Sequence, residues 1–187
     1  MSEVMAATLC AKAMWTPVYA GRVTVPRLFL VCGLPGAGKT TRSKEIAAAT
    51  NAIRLCTDEW LEAVGISLVD YPPRFRLEPY LIQHAEQLLR AGVSVVAEFT
   101  SWSRKERDAL RGVALRGGAV CDLHFLDAPL SELERRVRSR GGPYAKVLAE
   151  DVLLKLGHRF ERPTEEEAAL YHSYVGPADT YAPVTVR

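Results

Sequence analysis

Short apolar runs alternate along this chain with longer amphipathic stretches that carry its charged residues. Four of the runs predict β-strands, and the first is apolar throughout, as in strands buried on both faces of a parallel sheet. These runs are Leu28–Cys32, Ile53–Cys56, Val93–Ala97 and Ala119–Leu126. A further strand is predicted in the tail, at Pro183–Val186.

Helical patterns follow the apolar runs. They lie at Lys39–Thr50, Glu59–Val64, Arg74–Arg90, Ser103–Arg116, Leu130–Arg140 and Glu165–Tyr171. Asp58, Ser103 and Thr164 stand where N-cap residues stand, and Tyr71-Pro72-Pro73 is expected to break the chain before the third helix. This alternation of strands and helices predicts a three-layer α/β fold with a mainly parallel sheet.

The length of 187 residues indicates one domain, which we expect over residues 26–187 after a poorly ordered or loosely docked extension at residues 1–25. The net charge of +2 does not demand a nucleic-acid or membrane partner. The chain contains no run of about 18 apolar residues, so no transmembrane helix is predicted. The 4 cysteines form no CxxC pair, which indicates reduced core thiols in a cytoplasmic protein.

A glycine-rich motif, GLPGAGKTT, follows the first predicted strand and precedes a helix. It matches the P-loop pattern G-x-x-x-x-G-K-[ST], in which glycines let backbone N–H groups approach phosphate oxygens. The predicted binding loop is Gly33, Leu34, Pro35, Gly36, Ala37, Gly38, Lys39, Thr40 and Thr41. Lys39 is expected to bridge the β- and γ-phosphates and Thr40 to ligate Mg²⁺. ATP is favoured over GTP because no NKxD-like motif is present.

Three further motifs follow the P-loop at intervals along the chain: TDEW at 57–60, SWSRKERDAL at 101–110 and LDAPLSELERRVRSR at 126–140. With them the chain resembles small P-loop kinases of the AAA_33 or zeta-toxin-like group over about residues 27–167. Relatives in that group are polynucleotide 5′-kinase domains, chloramphenicol phosphotransferase and gluconate kinase. The resemblance implies a P-loop NTPase fold with a helical lid at about residues 138–162, and transfer of phosphate to a hydroxyl group.

Asp58 follows the second strand, at the carboxyl edge where α/β sheets place ligands. The resemblance gives this aspartate the role of positioning the acceptor hydroxyl and accepting its proton. The alternative is that Asp58 only caps the helix that follows. Trp60 is expected either to pack in the core or to wall the acceptor site.

Glu98 ends the third strand, where an acid can hold Mg²⁺ or its water. The family pattern reads close to DFGFWSR, whereas this chain reads EFTSWSR, so Thr100 and Ser101 replace a glycine and a phenylalanine. Otherwise Glu98 is a partly buried polar residue at a strand end. Arg104 either reaches the acceptor or phosphates, or pairs with Asp108 four residues on.

An arginine cluster lies on and after the last long helix, at Arg135, Arg136, Arg138 and Arg140. Arg136 and Arg140 share a helix face and match arginine positions of the family pattern, where this segment opens the lid. We expect one of them to stabilise charge on the transferring phosphoryl group. The other arginines form a solvated basic face, and Gly141-Gly142-Pro143 would give the lid a flexible edge.

The patterns together predict a cytoplasmic phosphotransferase with ATP and Mg²⁺ as cofactors and a small-molecule hydroxyl compound as acceptor, of nucleoside, antibiotic or sugar type. A nucleic-acid acceptor is less favoured because no basic and aromatic stripe stands out. The alternatives are a regulatory ATPase that acts through a partner and would not need Asp58, or a polynucleotide or toxin-like kinase. The sequence leaves the acceptor and the oligomeric state open.

Overall fold

The first apolar run forms the central strand of a parallel sheet. The computed structural model describes residues 25–68, 71–141, 145, 153–179 and 184. In these residues a 5-stranded sheet has the strand order β2-β3-β1-β4-β5, and all four neighbouring pairs are parallel. The strands are β1 (Arg27–Cys32), β2 (Ile53–Cys56), β3 (Val95–Glu98), β4 (Val120–Phe125) and β5 (Ser173–Val175).

Helices connect the strands and flank the sheet, so the predicted α/β architecture is confirmed. The described helices are α1 (Lys39–Thr50), α2 (Thr57–Ala63), α3 (Tyr71–Arg90), α4 (Arg104–Arg116), α5 (Leu130–Arg140), α6 (Leu153–Arg159) and α7 (Glu165–Ala168). A single 3₁₀ turn, Pro177–Asp179, follows β5. None of the described helices has the length and apolar character needed to cross a bilayer.

Burial explains why β1 is apolar from Leu28 to Cys32. Leu30 and Val31 point to opposite faces of the sheet, and both side chains are completely buried. Removing such a side chain from water stabilises the fold by about 1.5–3 kcal/mol. The register pairs Cys32 with Phe125 and Cys56 with Glu98, so these strands end together at one edge of the sheet. The loops at that edge contain the candidate binding and catalytic residues.

The second helix begins earlier than the sequence predicts. Helix α2 starts at Thr57 with Cys56 as its N-cap residue, and no side chain caps it. Asp58 therefore lies inside the first turn, and the prediction that it is the N-cap residue is wrong. The physical reason is that β2 runs directly into the helix, so that Cys56, the last extended residue of the strand, takes the N-cap position.

The third helix also begins earlier than predicted. Helix α3 starts at Tyr71 and includes Pro72 and Pro73, which were expected to break the chain. The N–H groups of a first turn have no partner inside the helix, so prolines are tolerated there. Pro79 is also accommodated within α3. The helix consequently brings Arg74 to the carboxyl edge of the sheet as a helical residue.

The C-terminal part differs most from the prediction. Thr164 caps α7 as expected, but the helix ends at Ala168, and strand β5, which the sequence did not predict, follows at the sheet edge. β5 is only 3 residues long and mostly exposed, so it has no apolar pattern. Residues 1–24 of the extension, Gly142-Pro143 and most of the lid's first half lie outside the described residues, and so does the expected strand Pro183–Val186 apart from Val184.

Candidate active site

The glycine-rich motif forms a tight turn between β1 and α1. Gly33 and Gly36 have φ angles of 148° and 85°, which side chains rarely tolerate. A Cβ atom on Gly33 would lie 2.3 Å from the Leu126 carbonyl oxygen, and one on Gly36 would lie 2.8 Å from that of Leu133. The motif therefore packs against the residue that follows β4 and against α5, and glycine is required at both positions.

A polar cavity opens above this turn at the N-terminus of α1. The N-cap of α1 is Gly38, which offers no side chain, and the first turn holds no acidic residue. The backbone N–H groups at such a helix start attract an anion. The cavity is lined by residues that include Gly36, Lys39, Thr40, Asp58, Glu98 and Arg140. This is the shape and charge expected of a phosphate-binding site.

Lys39 is held inside the cavity by the P-loop itself. Its Nζ donates hydrogen bonds to the carbonyl oxygens of Gly33 at 3.0 Å and Leu34 at 3.2 Å. Burial lowers the pKa of Lys39, and the nearby carboxylates of Glu98 and Asp58 oppose that shift. A buried ammonium group with only carbonyl partners would be stabilised strongly by a phosphate oxygen.

Thr40 and Glu98 place two hard oxygen ligands side by side in the cavity. The Thr40 Oγ1 donates to Glu98 Oε1 at 2.7 Å. No group of three or more His, Cys, Asp or Glu residues capable of holding a metal occurs in the described part of the chain. Mg²⁺ normally takes few protein ligands and completes its shell with waters and phosphate oxygens. The pair therefore fits the predicted Mg²⁺ site, provided that phosphates supply the remaining ligands.

The other oxygen of Glu98 is bound by residues that the sequence did not point to. Its Oε2 accepts hydrogen bonds from Ser43 Oγ at 2.8 Å and from an Arg54 guanidinium nitrogen at 2.7 Å. Burial raises the pKa of Glu98, but the hydrogen bonds from Thr40, Arg54 and Ser43 outweigh it and lower the pKa overall. Glu98 is therefore a carboxylate at neutral pH. The one feature of the sequence that pointed to Arg54 was its position as a lone arginine in the otherwise apolar strand β2.

Asp58 lies between the phosphate cavity and a second, adjoining cavity. The walls of the second cavity are formed by residues that include Lys39, Asp58, Arg74, Phe99, Trp102 and Leu156. Asp58 accepts a hydrogen bond from the guanidinium group of Arg74. The Arg74 side chain is only 14% exposed, and α3 supplies it from outside the predicted motifs. Asp58 thus lies beside both a candidate phosphate site and a pocket whose lining combines polar and apolar side chains.

The altered EFTS stretch is tied to the neighbouring helices. Thr100 donates from its backbone N–H and from its hydroxyl to the carboxylate of Glu78, the latter at 2.8 Å. Burial raises the pKa of Glu78, and the two Thr100 hydrogen bonds partly offset this. Ser101 is buried, and its carbonyl accepts a hydrogen bond from Arg107 at 3.2 Å. These contacts hold the floor of the second cavity against α3 and α4.

Two of the candidate substrate residues lie elsewhere. Neither Trp60 nor Arg104 is among the described residues that line the two cavities. Trp60 is 45% exposed on α2, so it does not pack in the core either. The Arg104 Nε donates to Asp108 at 3.2 Å, which is the surface pairing considered as its alternative role.

The arginines of α5 divide between the site and the surface. Arg136 donates to Glu132 at 2.6 Å and lies 3.5 Å from the Gly36 carbonyl oxygen of the P-loop. Arg140 lines the phosphate cavity and its charge lowers the pKa of Lys39. Arg135 is exposed and pairs with Glu132 as well. Arg136 and Arg140 are therefore the two cluster members that lie near the phosphate site.

The sequence model of AAA_33, described as an AAA domain, matches residues 28–163. The chain belongs to the AAA_33 family. The resemblance found in the sequence is confirmed by this match. No curated protein sequence matches the chain significantly.

Solved structures similar to this AAA_33 protein include several kinases. A gluconokinase from Sinorhizobium meliloti 1021 has 22% identity and a TM-score of 0.53, over 81% of this chain and 82% of that chain. The Mycobacterium tuberculosis APS kinase CysC in complex with AMPPNP and APS has 22% identity and a TM-score of 0.58, over 81% and 88%. Chaetomium thermophilum Kti12 with ADP-AlF3 has 16% identity and a TM-score of 0.60, over 79% and 87%. At these identities the likeness shows that the chain shares their fold.

Proposed function

We propose that this AAA_33 protein is an ATP-dependent phosphotransferase that moves the γ-phosphate to a hydroxyl group of a small nucleoside-, antibiotic- or sugar-type compound. The observation that carries the proposal is the position of Asp58, which lines both the phosphate cavity and the adjoining cavity. A hydroxyl compound in the adjoining cavity would lie between a carboxylate and the phosphate that it attacks. That arrangement is what transfer to an alcohol requires.

The phosphate cavity would bind the triphosphate of ATP. Backbone N–H groups of the P-loop and the N-terminus of α1 would surround the phosphates, and Lys39 would exchange its carbonyl partners for β- and γ-phosphate oxygens. Thr40 and Glu98 would hold Mg²⁺, which neutralises charge on the β- and γ-phosphate oxygens when it is bound. Positioning and charge neutralisation are the main contributions a protein makes to this reaction.

Asp58 would direct the acceptor. In the transfer, the acceptor oxygen forms a bond to the γ-phosphorus, the bond from that phosphorus to the β–γ bridging oxygen breaks, and ADP leaves. Asp58 accepts the hydroxyl proton, and its contact with Arg74 holds the carboxylate in place. Arg136 or Arg140 would stabilise the charge on the phosphoryl oxygens, because both lie beside the phosphate cavity.

The walls of the second cavity support a small acceptor with an apolar part. Phe99, Trp102 and Leu156 supply carbon surface to its lining, and Asp58 and Arg74 supply polar groups. Sites for small molecules typically combine such apolar walls with a few directed polar groups.

The test is a transfer assay with the full chain, ATP–Mg²⁺ and a panel of nucleosides, aminoglycoside and phenicol antibiotics and sugars, with γ-phosphate label followed into product. We expect one class to be labelled, and the Asp58→Asn variant to lose about 100-fold or more in rate, since general-base catalysis contributes 10²–10⁴-fold. ATP affinity of that variant should not change. Asp108→Asn, a surface carboxylate on α4, is the matched control. Full activity in Asp58→Asn would refute the assigned role.

A second candidate is a regulatory ATPase that acts through a partner. The ion pair between Asp58 and Arg74 favours it, because a carboxylate already bound by arginine can serve a purely structural role. Under this alternative no acceptor in the panel is labelled, and ATP hydrolysis is the same in the wild type and in Asp58→Asn. The same assay therefore separates the two functions.

A further inference from the structure

We propose that Arg54 and Ser43 act as a clamp that positions Glu98 for the divalent cation, an inference that rests on the Mg²⁺ site of the proposed function. The two oxygens of Glu98 have separate partners. Oε2 is bound by Ser43 and Arg54, whereas Oε1 is bound by Thr40, the other predicted ligand. The clamp thus occupies one oxygen and leaves the other directed at the phosphate cavity.

Arg54 joins the elements that meet at this edge. Its Nε donates to Ser43 Oγ at 2.7 Å, one terminal nitrogen donates to Glu98 at 2.7 Å, and the other donates to Glu59 at 2.6 Å. The side chain is 10% exposed, and it projects from β2 between α1, β3 and α2. Three directed bonds from one planar group need the fork geometry of arginine, which the point charge of lysine does not reproduce.

The clamp matters because a glutamate side chain is flexible. Each of its torsions must be held for the carboxylate to meet a cation at the same place in every molecule, and loss of that freedom costs free energy. Ser43 is completely buried and Glu98 is 8% exposed, so both are held among neighbours. When the protein already holds the carboxylate in place, this loss of freedom occurs on folding and does not weaken cation binding.

A positive charge beside a cation site also has an opposing effect. Arg54 repels Mg²⁺, so its removal would strengthen cation binding if charge alone decided the affinity. Ser43→Ala removes a bond to the same Glu98 oxygen without any change of charge, so it measures the positional effect separately from this repulsion. We expect the positional effect to dominate in the Arg54 variants as well, because Arg54 bonds to both Glu98 and Ser43.

The experiment measures Mn²⁺ binding to the full chain with saturating ADP, from the electron paramagnetic resonance signal of free Mn²⁺. Arg54→Gln and Ser43→Ala are expected to weaken Mn²⁺ binding by about 10-fold or more, the usual effect of removing a partner of a metal ligand. Arg54→Lys should restore little, because it keeps the charge but not the fork. The affinity for ADP without metal should stay within about 2-fold of the wild type, since neither residue is placed on the nucleotide.

Glu59→Gln is the matched control. It removes the other carboxylate partner of Arg54 and leaves the bonds to Glu98 in place, so Mn²⁺ affinity should not change. Ser43→Ala keeps the test valid if an Arg54 variant fails to fold, which thermal melting will show. Wild-type or tighter Mn²⁺ binding in folded Arg54→Gln or Ser43→Ala would overturn the clamp. Unchanged binding in Glu98→Gln would instead overturn the Mg²⁺ site, whether or not an acceptor is ever labelled.

Discussion

Removing one partner of the buried ion pair between Arg107 and Glu167 should be one of the most destabilising single changes in this fold. The two side chains are 0% and 1% exposed, and they form two hydrogen bonds of 2.6 and 2.8 Å. Arg107 also donates to the carbonyl oxygens of Ser101 and Trp102 at 3.2 and 3.4 Å. Burial alone would lower the pKa of Arg107, but the pairing with Glu167 raises it, so the arginine is charged throughout the accessible pH range.

Glu167→Gln removes the carboxylate and leaves the Arg107 charge buried without its counter-ion. Breaking a buried pair in this way costs about 3–5 kcal/mol. Typical domains have unfolding free energies of about 5–15 kcal/mol, so the loss is a large fraction of the total. For a chain of this size it should lower Tm by about 6–20 °C, at about 2–4 °C per kcal/mol.

Urea unfolding and thermal melts of the variant, the wild type and a control provide the measurement. Glu132→Gln makes the same chemical change at a surface carboxylate that pairs with Arg135 and Arg136, and it should destabilise the fold far less, because ion pairs in contact with solvent contribute little. The double variant Arg107→Met/Glu167→Leu should be more stable than either single change, because no unpaired charge is then buried. A loss below about 1 kcal/mol for Glu167→Gln would refute this reasoning, since it would mean that water or another group already compensates the pair.

Two further outcomes are expected. Lys39→Ala should weaken ATP binding by about 10- to 100-fold in calorimetry, the equivalent of about 1.5–3 kcal/mol for a charge-assisted contact. Lys105→Ala, which changes an exposed lysine, should leave the affinity for ATP unchanged. Equal affinities of the two variants would contradict the P-loop assignment. Burial lowers the pKa of His124 to about 4. The unfolded chain, with a His pKa near 6.5, then binds the extra proton first, so stability should fall as pH drops from about 6.5 towards 4, by up to about 3 kcal/mol. Urea unfolding of His124→Gln should show a weaker pH dependence in that window, and an unchanged slope would contradict the assignment.

Local patterns predicted the features that depend on neighbouring residues. The capping box of Ser103 and Glu106 forms as expected, because both halves of its hydrogen-bond pair lie within one turn. The strand–loop–helix context of the P-loop is equally local, and the glycines of the motif adopt positive φ angles. The end of β2 at Cys56 was predicted correctly, but the start of α2 was mispredicted because the helix follows Cys56 directly at Thr57.

Local patterns did not predict which residues bind the charged side chains of the site. Thr40 and Glu98 were each predicted as metal ligands, yet 58 residues separate them, and their 2.7 Å contact requires β1 and β3 to be neighbours. Arg54 and Arg74 were not predicted, because a lone arginine in a strand or at a helix start matches no motif. Their roles follow only from the elements that pack beside them.

The sequence by itself determined the phosphate-binding turn, the succession of the first four strands and their helices along the chain, and the family, since each depends on residues close together in the chain. The tertiary structure decided what surrounds Asp58 and Glu98. A carboxylate at a strand end has no preferred partner until sheet order brings other strands and helices to the same edge. At that edge Arg74 binds the carboxylate of Asp58, and Arg54 and Ser43 bind the carboxylate of Glu98. The two acids are therefore held in defined positions within one site.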